Sequence, residues 1–295
     1  MSVSTLARLD AVSRERLRHS AREAQKLETQ WDAKVRSMLL EHVDKIVREL
    51  DKTGRAPQLD FEEFFVRHYF DAARTGLKVA ETEEELEKRI RLAAKPPKVR
   101  VPDSLRKLRE LYDQWRKGRY TPKRPKEVAE RIQKAYLEKV QSVWQQYSED
   151  FRNGTDATQR EVVTKIREAA EVVVSRAQTI VRTETTNYYN HSRREYYDES
   201  EDVTHYLFIA VRDKATTKWC SEKTIGGLRG RSGLVYAKGD PLLIAEQPAC
   251  HWNCRSELLP LNPDNPSHLR LIQDKRIQRR LVKCHPLPPE WRRAA

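Results

Sequence analysis

The chain has 295 residues, of which 34% are charged and only 38% hydrophobic, and its formal net charge is +13. That length suits one large domain or two ordinary ones, while the low apolar share excludes a single oily globule and favours a helical portion joined to a smaller packed domain. The net charge and the pI of about 9.6 point to a polyanionic partner, nucleic acid or an acidic protein surface; solubility alone would account for them as well.

In chain order, the spacing predicts a helix over residues 1 to about 50. Leu6, Leu9, Val12 and Leu17, then Trp31, Val35, Met38, Leu39, Val43, Ile46, Val47 and Leu50, recur mainly at three- and four-residue steps. The first residues lack a signal peptide's apolar core. No apolar run in the chain approaches the ~20 residues of a membrane span. The expectation is a protein made and kept in a cytoplasm, with no membrane partner. "DKTGRAP" (Asp51 to Pro57) ends the first helix, with Gly54 as its C-cap. A second begins after Asp60, with Glu63 three positions on and Phe61, Phe64, Phe65, Tyr69 and Phe70 on one face. The charged run "ETEEELEKRIRLAA" follows it, then the proline-punctuated linker Lys95 to Asp103.

A short helix is expected over Ser104 to Lys117, and another from Glu127 to about Phe151. Asn153-Gly154 breaks that one. Gln159 to about Asp198 is the clearest element. Val163, Ile166, Ala170, Val173, Ala177 and Ile180 form a narrow apolar seam along it. From Asp202 the pattern changes, and "VTHYLFIAV" reads as a strand. Glycines and prolines then thicken, and a basic, helical tail begins at His268. The fold class is therefore α+β: an extended N-terminal helical region, a long central helix, and a small C-terminal mixed α/β domain with long loops. The regions are 1–95 (helical), 96–158 (linker and helical pair), 159–262 (central helix with the C-terminal domain) and 263–295 (basic tail).

Three groups of residues carry chemistry. Arg182, Glu184, Asn187, Asn190 and Arg194 sit at the far end of the central helix at spacings of three and four. They are either a solvated helix end or a polar anchor for the C-terminal domain. All four cysteines lie in the last third. His251 and Cys254 form a His-x-x-Cys pair that Cys220 would complete as a structural zinc site, with Asp213, Cys284 or His285 as a fourth ligand. The alternative is a reduced Cys and His set packed under Trp219 and Trp252. A nucleotide site built from Arg182, Ser221 and Glu222 or Glu257 is a third arrangement these residue types permit. The glycines of "GGLRGRSG" lack the Gly-Lys-Ser end of a phosphate loop and read as turns. In the tail, Arg276, Arg279 and Arg280 would carry sequence-neutral contacts to double-stranded DNA phosphates.

Taken together, a helix ending in "RTET", a strand, "DKATTKWCSEKTIGG" and "PACHWNCRSELLPL" resemble the phage head-morphogenesis domain of Mu F-like minor head proteins. The family pattern falls on Arg182, Thr183 and Glu184, on Asp213, Thr216, Thr217 and Cys220, and on His251, Trp252, Asn253, Cys254, Arg255, Ser256 and Pro260. The resemblance runs from about Val162 to Leu261. It departs at the glycine after Cys220, displaced to Gly226 and Gly227, and at Cys250, where the family pattern leads one to expect a small or apolar residue. It implies a non-enzymatic minor capsid protein of a tailed phage or prophage. Such a protein acts at the portal vertex in head morphogenesis, with the portal and other head proteins as partners. It would reside in the virion, after assembly in the host cytoplasm. No cofactor is firmly implied beyond the zinc that Cys220, His251 and Cys254 would suit. The Cys and His residues are then expected to close the small domain by tying the Asp213–Gly227 loop to the His251–Cys254 turn. The alternatives are an ADP-ribosyltransferase-like effector enzyme and a sequence-neutral DNA-binding protein.

Overall fold

The structure is a computed structural model that describes residues 10–53, 57, 59–91, 103–153, 159–210, 220, 235–240, 243 and 254–274. The heptad-like recurrence of Val35, Leu39, Val43, Ile46 and Leu50 gives α1 (Ala11–Thr53) one continuous buried stripe. α2 (Glu62–Arg91) starts where Asp60 accepts the Glu62 N–H at 2.9 Å. It continues through the charged run to Arg91, and Leu77, Val79, Ala80 and Glu83 are buried where that run begins. α3 (Asp103–Arg116) is capped from outside: the Glu199 carboxylate accepts the Asp103 and Ser104 N–H groups at 2.8 and 2.6 Å.

α4 (Lys123–Arg152) begins earlier than the spacing predicted. Pro125 falls in its first turn, where a missing N–H costs nothing. α5 (Gln159–Asp198) has the predicted bounds. Its buried surface is wider than a narrow seam: Val162, Ile166, Ala169, Ala170, Val173, Val174, Ala177 and Val181 are all buried. A helix covered on more than one side needs this width. Here α1, α2 and α4 pack around α5 in one core with Phe61, Phe65, Ile132, Tyr136 and Val140. The N-terminal helices thus lie along α5 rather than standing off as an arm.

After α5, β1 (His205–Ile209) is the centre of an antiparallel three-stranded sheet of order β2-β1-β3 among the described residues. β2 is Val235–Ala237 and β3 is Glu257–Leu261. Tyr206 faces Pro260, and Phe208 faces Leu258. Pro260 is tolerated because β3 is an edge strand among the described residues. Both faces of the sheet are covered. Tyr206, Phe208, Tyr236 and Leu258 pack with Leu77, Ala80, Tyr196 and Tyr197 of α2 and α5. Leu207, Val235, Leu259 and Leu261 pack with Leu17 of α1 and Leu271 of α6 (Pro266–Ile272). The helical, α+β reading of the sequence therefore holds.

The two ends of the described chain meet. Asp10 caps α1 by accepting the Ser13 N–H at 2.7 Å, and its other oxygen accepts from Asn265 and from the Ser267 hydroxyl. Asn265 in turn caps α6 through the Ser267 N–H. The Ser13 hydroxyl lies 2.8 Å from Nε2 of buried His268. Burial opposes the charge on Asp10, but these hydrogen bonds outweigh it and lower its pKa to about 2. The folded pKa lies below the ordinary 3.8, so this contribution is complete above about pH 4 and is lost as pH falls toward 2. Asp10→Ala should cost about 1 kcal/mol at neutral pH. The difference from the parent should shrink as pH falls from 4 toward 2, as measured by urea unfolding across pH.

Candidate functional site

The far end of α5 is an anchor for the sheet, not a solvated helix end. Asn190 is 1% exposed. Its amide donates to the Ser256 and Thr186 carbonyls, at 3.3 and 2.9 Å, and its oxygen accepts the Leu258 N–H at 3.4 Å. Asn190 therefore supplies the hydrogen bonds a neighbouring strand would have made at the start of β3. Glu184, equally buried, is held by the Arg124 guanidinium, Nη2 to Oε1 at 2.6 Å and Nε to Oε2 at 3.4 Å. That fork ties α4 to α5. Thr183 returns its hydroxyl to the Thr179 carbonyl at 2.8 Å.

One turn on, Arg193 is the hub of a buried ionic network. Its Nη2 donates to both Glu83 oxygens, at 2.9 and 2.8 Å, and its Nη1 reaches the Leu258 carbonyl at 3.5 Å and lies 3.7 Å from Glu257 Oε2. Its guanidinium lies over the Tyr189 ring. Glu83 also accepts the Tyr197 hydroxyl at 2.7 Å and lies 3.9 Å from Arg16 Nη2, which itself donates to Tyr197 at 3.1 Å. Burial opposes the charge on Arg193, but Glu83, Tyr189 and Glu257 overcome it and raise its pKa. α1, α2, α5 and β3 are thereby locked through one desolvated cluster.

Beside this cluster lies a cavity of about 660 Å³. One wall is a single face of α1, with Ala21, Ala24, Gln25, Glu28 and Asp32 at helical spacing. Arg182, Thr186 and Asn190 of α5 form the second wall, and Arg255, Ser256 and Glu257 the third. Arg182 pairs with Asp32 Oδ2, and Glu28 accepts the Thr186 hydroxyl at 2.9 Å. Burial pushes the Glu28 carboxyl up to about 7 against the Thr186 hydrogen bond and the charges of Arg255 and Arg182. Burial likewise raises Glu257 to about 7, opposed by Arg193.

Two of the four cysteines lie among the described residues. Cys220 and Cys254 are both buried, with their sulfurs 3.9 Å apart, and Ser256 donates to the Cys220 sulfur at 3.2 Å. Two sulfurs in a disulfide would stand ~2.05 Å apart, so these are two thiols in contact. Tetrahedral zinc with ~2.3 Å bonds spaces its thiolates ~3.8 Å apart, so the pair fits two corners of such a site. The third proposed ligand, His251, lies outside the described residues. Among the described residues, no group of three or more His, Cys, Asp or Glu converges as a metal site.

Of the other motif residues, the structure brings Arg182, Arg255 and Ser256 to one cavity from positions more than seventy apart in sequence. Asp213, Thr216, Thr217, Trp252 and Asn253 lie outside the described residues, as do Arg276, Arg279 and Arg280. Glu257 joins Arg182 at the cavity, while Ser221 and Glu222 are outside the described residues. The residues that sequence reasoning missed are Arg16, Glu83, Arg193 and Glu28. The signal nearest to them was Arg193, one position from a residue named for the α5 anchor. Comparison with known proteins finds no matching family model, no matching curated protein and no matching solved structure.

Proposed function

We propose that this chain is a non-enzymatic minor head protein of a tailed phage or prophage. In this reading it acts at the portal vertex during head morphogenesis and resides in the virion after assembly in the host cytoplasm. Its partners are the portal protein and other head proteins, with packaged double-stranded DNA as a second contact. The observation that carries the reading is the α5–β3 joint. The two blocks on which the family resemblance rests, around Arg182–Glu184 and Cys254–Ser256, converge there, and their polar groups are largely spent on holding the fold. Glu184 is occupied by Arg124, Arg182 by Asp32, and Ser256 by Asn190 and Cys220. Groups committed in this way serve shape rather than turnover. The charge of +13 suits a place beside packed DNA.

The test is co-purification of the full chain with the portal protein encoded by the same phage. The full chain is needed because removing α1 and α2 would strip the cover from α5. A stable complex that survives 0.5 M salt is the expected result. Affinity for DNA alone should instead fall steeply, by about 10³-fold or more between 50 and 200 mM salt if six or more phosphates are contacted. Failure to form a portal complex at any salt would overturn the reading. Saturable heat on titration with NAD would favour the transferase alternative, since Arg182 and Glu257 do share a cavity.

A further inference from the structure

The turn between α3 and α4 is a run of cations without an acid. From Gln114 to Lys126 the chain places Arg116, Lys117, Arg119, Lys123, Arg124 and Lys126, and not one Asp or Glu. Arg124 is spent on Glu184. The other five are exposed. Lys123 and Lys126 stand 3.7 and 3.8 Å from Glu127 and Glu62, beyond hydrogen-bond reach. Arg116, Lys117 and Arg119 make no ion pair among the described residues, whereas Arg18, Lys26, Arg36 and Arg67 on α1 and α2 each have a carboxylate partner. Helix stability accounts for Arg116 alone, since a cation suits the last turn of α3. It works against Lys123 and Lys126, which stand in a first turn of α4 that has no acidic residue.

The backbone that carries these charges is fixed. Gly118, at φ +66°, ends α3: its N–H donates to the Trp115 carbonyl at 2.8 Å, and the Arg119 N–H to the Gln114 carbonyl at 2.9 Å. Trp115 holds the end of α3 against α2, its ring centre 5.6 Å from that of Phe70. Pro122 and Pro125, both buried, hold the other side of the turn. A Cβ at Gly118 would meet nothing within 4 Å, so the tip of the turn stands out from the protein. Crowded like charges on a rigid, projecting turn repel one another, and a polyanion laid against them removes that repulsion. Protein surfaces mix both signs of charge, whereas a DNA duplex offers an unbroken array of negative charge, one per ~1.7 Å of axis. An unbroken run of cations matches the second.

We propose that the α3–α4 turn is a docking surface for double-stranded DNA, holding phosphates through Arg116, Lys117, Arg119 and Lys123. The choice of DNA rests on the head-protein reading, while the cationic surface does not. The contacts are to the backbone, so they position the protein without reading sequence. The turn thus takes the role for which the sequence pointed to Arg276, Arg279 and Arg280.

The experiment is a fluorescence-anisotropy titration of the full chain into a labelled mixed-sequence duplex of about 30 base pairs, across about 50 to 200 mM salt. Replacing Arg116, Lys117 and Arg119 together by Gln should weaken binding about tenfold or more at the low-salt end and lower the salt slope by about two to three. Replacing Lys139, Lys165 and Arg176 together by Gln removes as much charge from exposed positions elsewhere on α4 and α5, and should change binding far less. Arg119→Glu alone lies outside both helices and should weaken binding as well, which keeps the test independent of helix stability. Full DNA affinity in the turn variants, or equal loss in the two triple variants, would overturn the proposal. So would a turn variant that keeps its DNA affinity and loses the portal, which would assign the turn to an acidic protein surface. The titration contains no portal protein, so failure of the portal complex would overturn the head-protein reading and leave this result standing.

Discussion

Replacing Arg193 by methionine should lower the stability of the fold by about 3–5 kcal/mol, read as a fall in the urea midpoint. The reason is what the substitution leaves behind. Methionine fills much of the space and keeps the helix, so neither packing nor propensity dominates the loss. Glu83 is 1% exposed and takes its principal charge partner from Arg193, with Arg16 more distant at 3.9 Å. Without Arg193 a desolvated carboxylate loses two hydrogen bonds, and Glu257 loses its nearest cation. The double variant Arg193→Met with Glu83→Leu should cost clearly less than the sum of the two singles, because both members of the pair leave together. Additive costs would show that the pair is not coupled as the distances require.

Gly76→Val should be similarly damaging, at about 3 kcal/mol, near the upper end of overpacking costs. At Gly76 the backbones of α2 and α5 touch. A Cβ there would fall inside the van der Waals envelope of the Tyr189 carbonyl oxygen, and 3.1 Å from its carbonyl carbon. Backbone cannot rotate away as a side chain can. The ~1 kcal/mol that a better helix former contributes to α2 does not offset the separation of two helices. Gly76→Ala should show the same effect at smaller size. Thermal unfolding of both, alongside an alanine substitution at exposed Lys78 as control, checks the ranking. If Gly76→Ala were more stable than the parent, the close approach of the helices would be wrong.

Local pattern reached some of this and not the rest, for physical reasons. The bounds of α5 followed from unbroken apolar recurrence between a turn and a change of period. β1 followed from a β-branched and aromatic run. Asn190 was legible as an anchor because it lay at three- and four-residue steps from Asn187 and Arg194. Arg16, Glu83 and Arg193 were not. Each sits among other charged residues, and a helix interior position gives a buried Arg the same local surroundings as a solvated one. What buries them is pairing across 110 residues for Glu83–Arg193 and 181 for Arg16–Tyr197. Periodicity within a helix says which face turns inward, not which charge it will meet there. The width of the buried surface on α5 was missed for the same reason: a seam shows that one neighbour exists, while three neighbours became evident only once α1, α2 and α4 were placed around it.

The joining of Asp10 and Ser13 to Asn265, Ser267 and His268, across 255 residues in the Ser13–His268 contact, sets the order in which the molecule is completed on the ribosome. α1 emerges well before several of its apolar and hydrogen-bonding partners, which lie among the last described residues. At ordinary elongation rates of ~5–20 residues per second, the start of α1 waits on the order of 10 to 50 s for Leu259, Leu261 and Leu271 to arrive. During that interval Leu17 and Ser13 lack the contacts that β3 and α6 bring to them. A chain shortened just before β3 would remain in that condition permanently, a species prone to chaperone capture and aggregation even though its longest helices are intact.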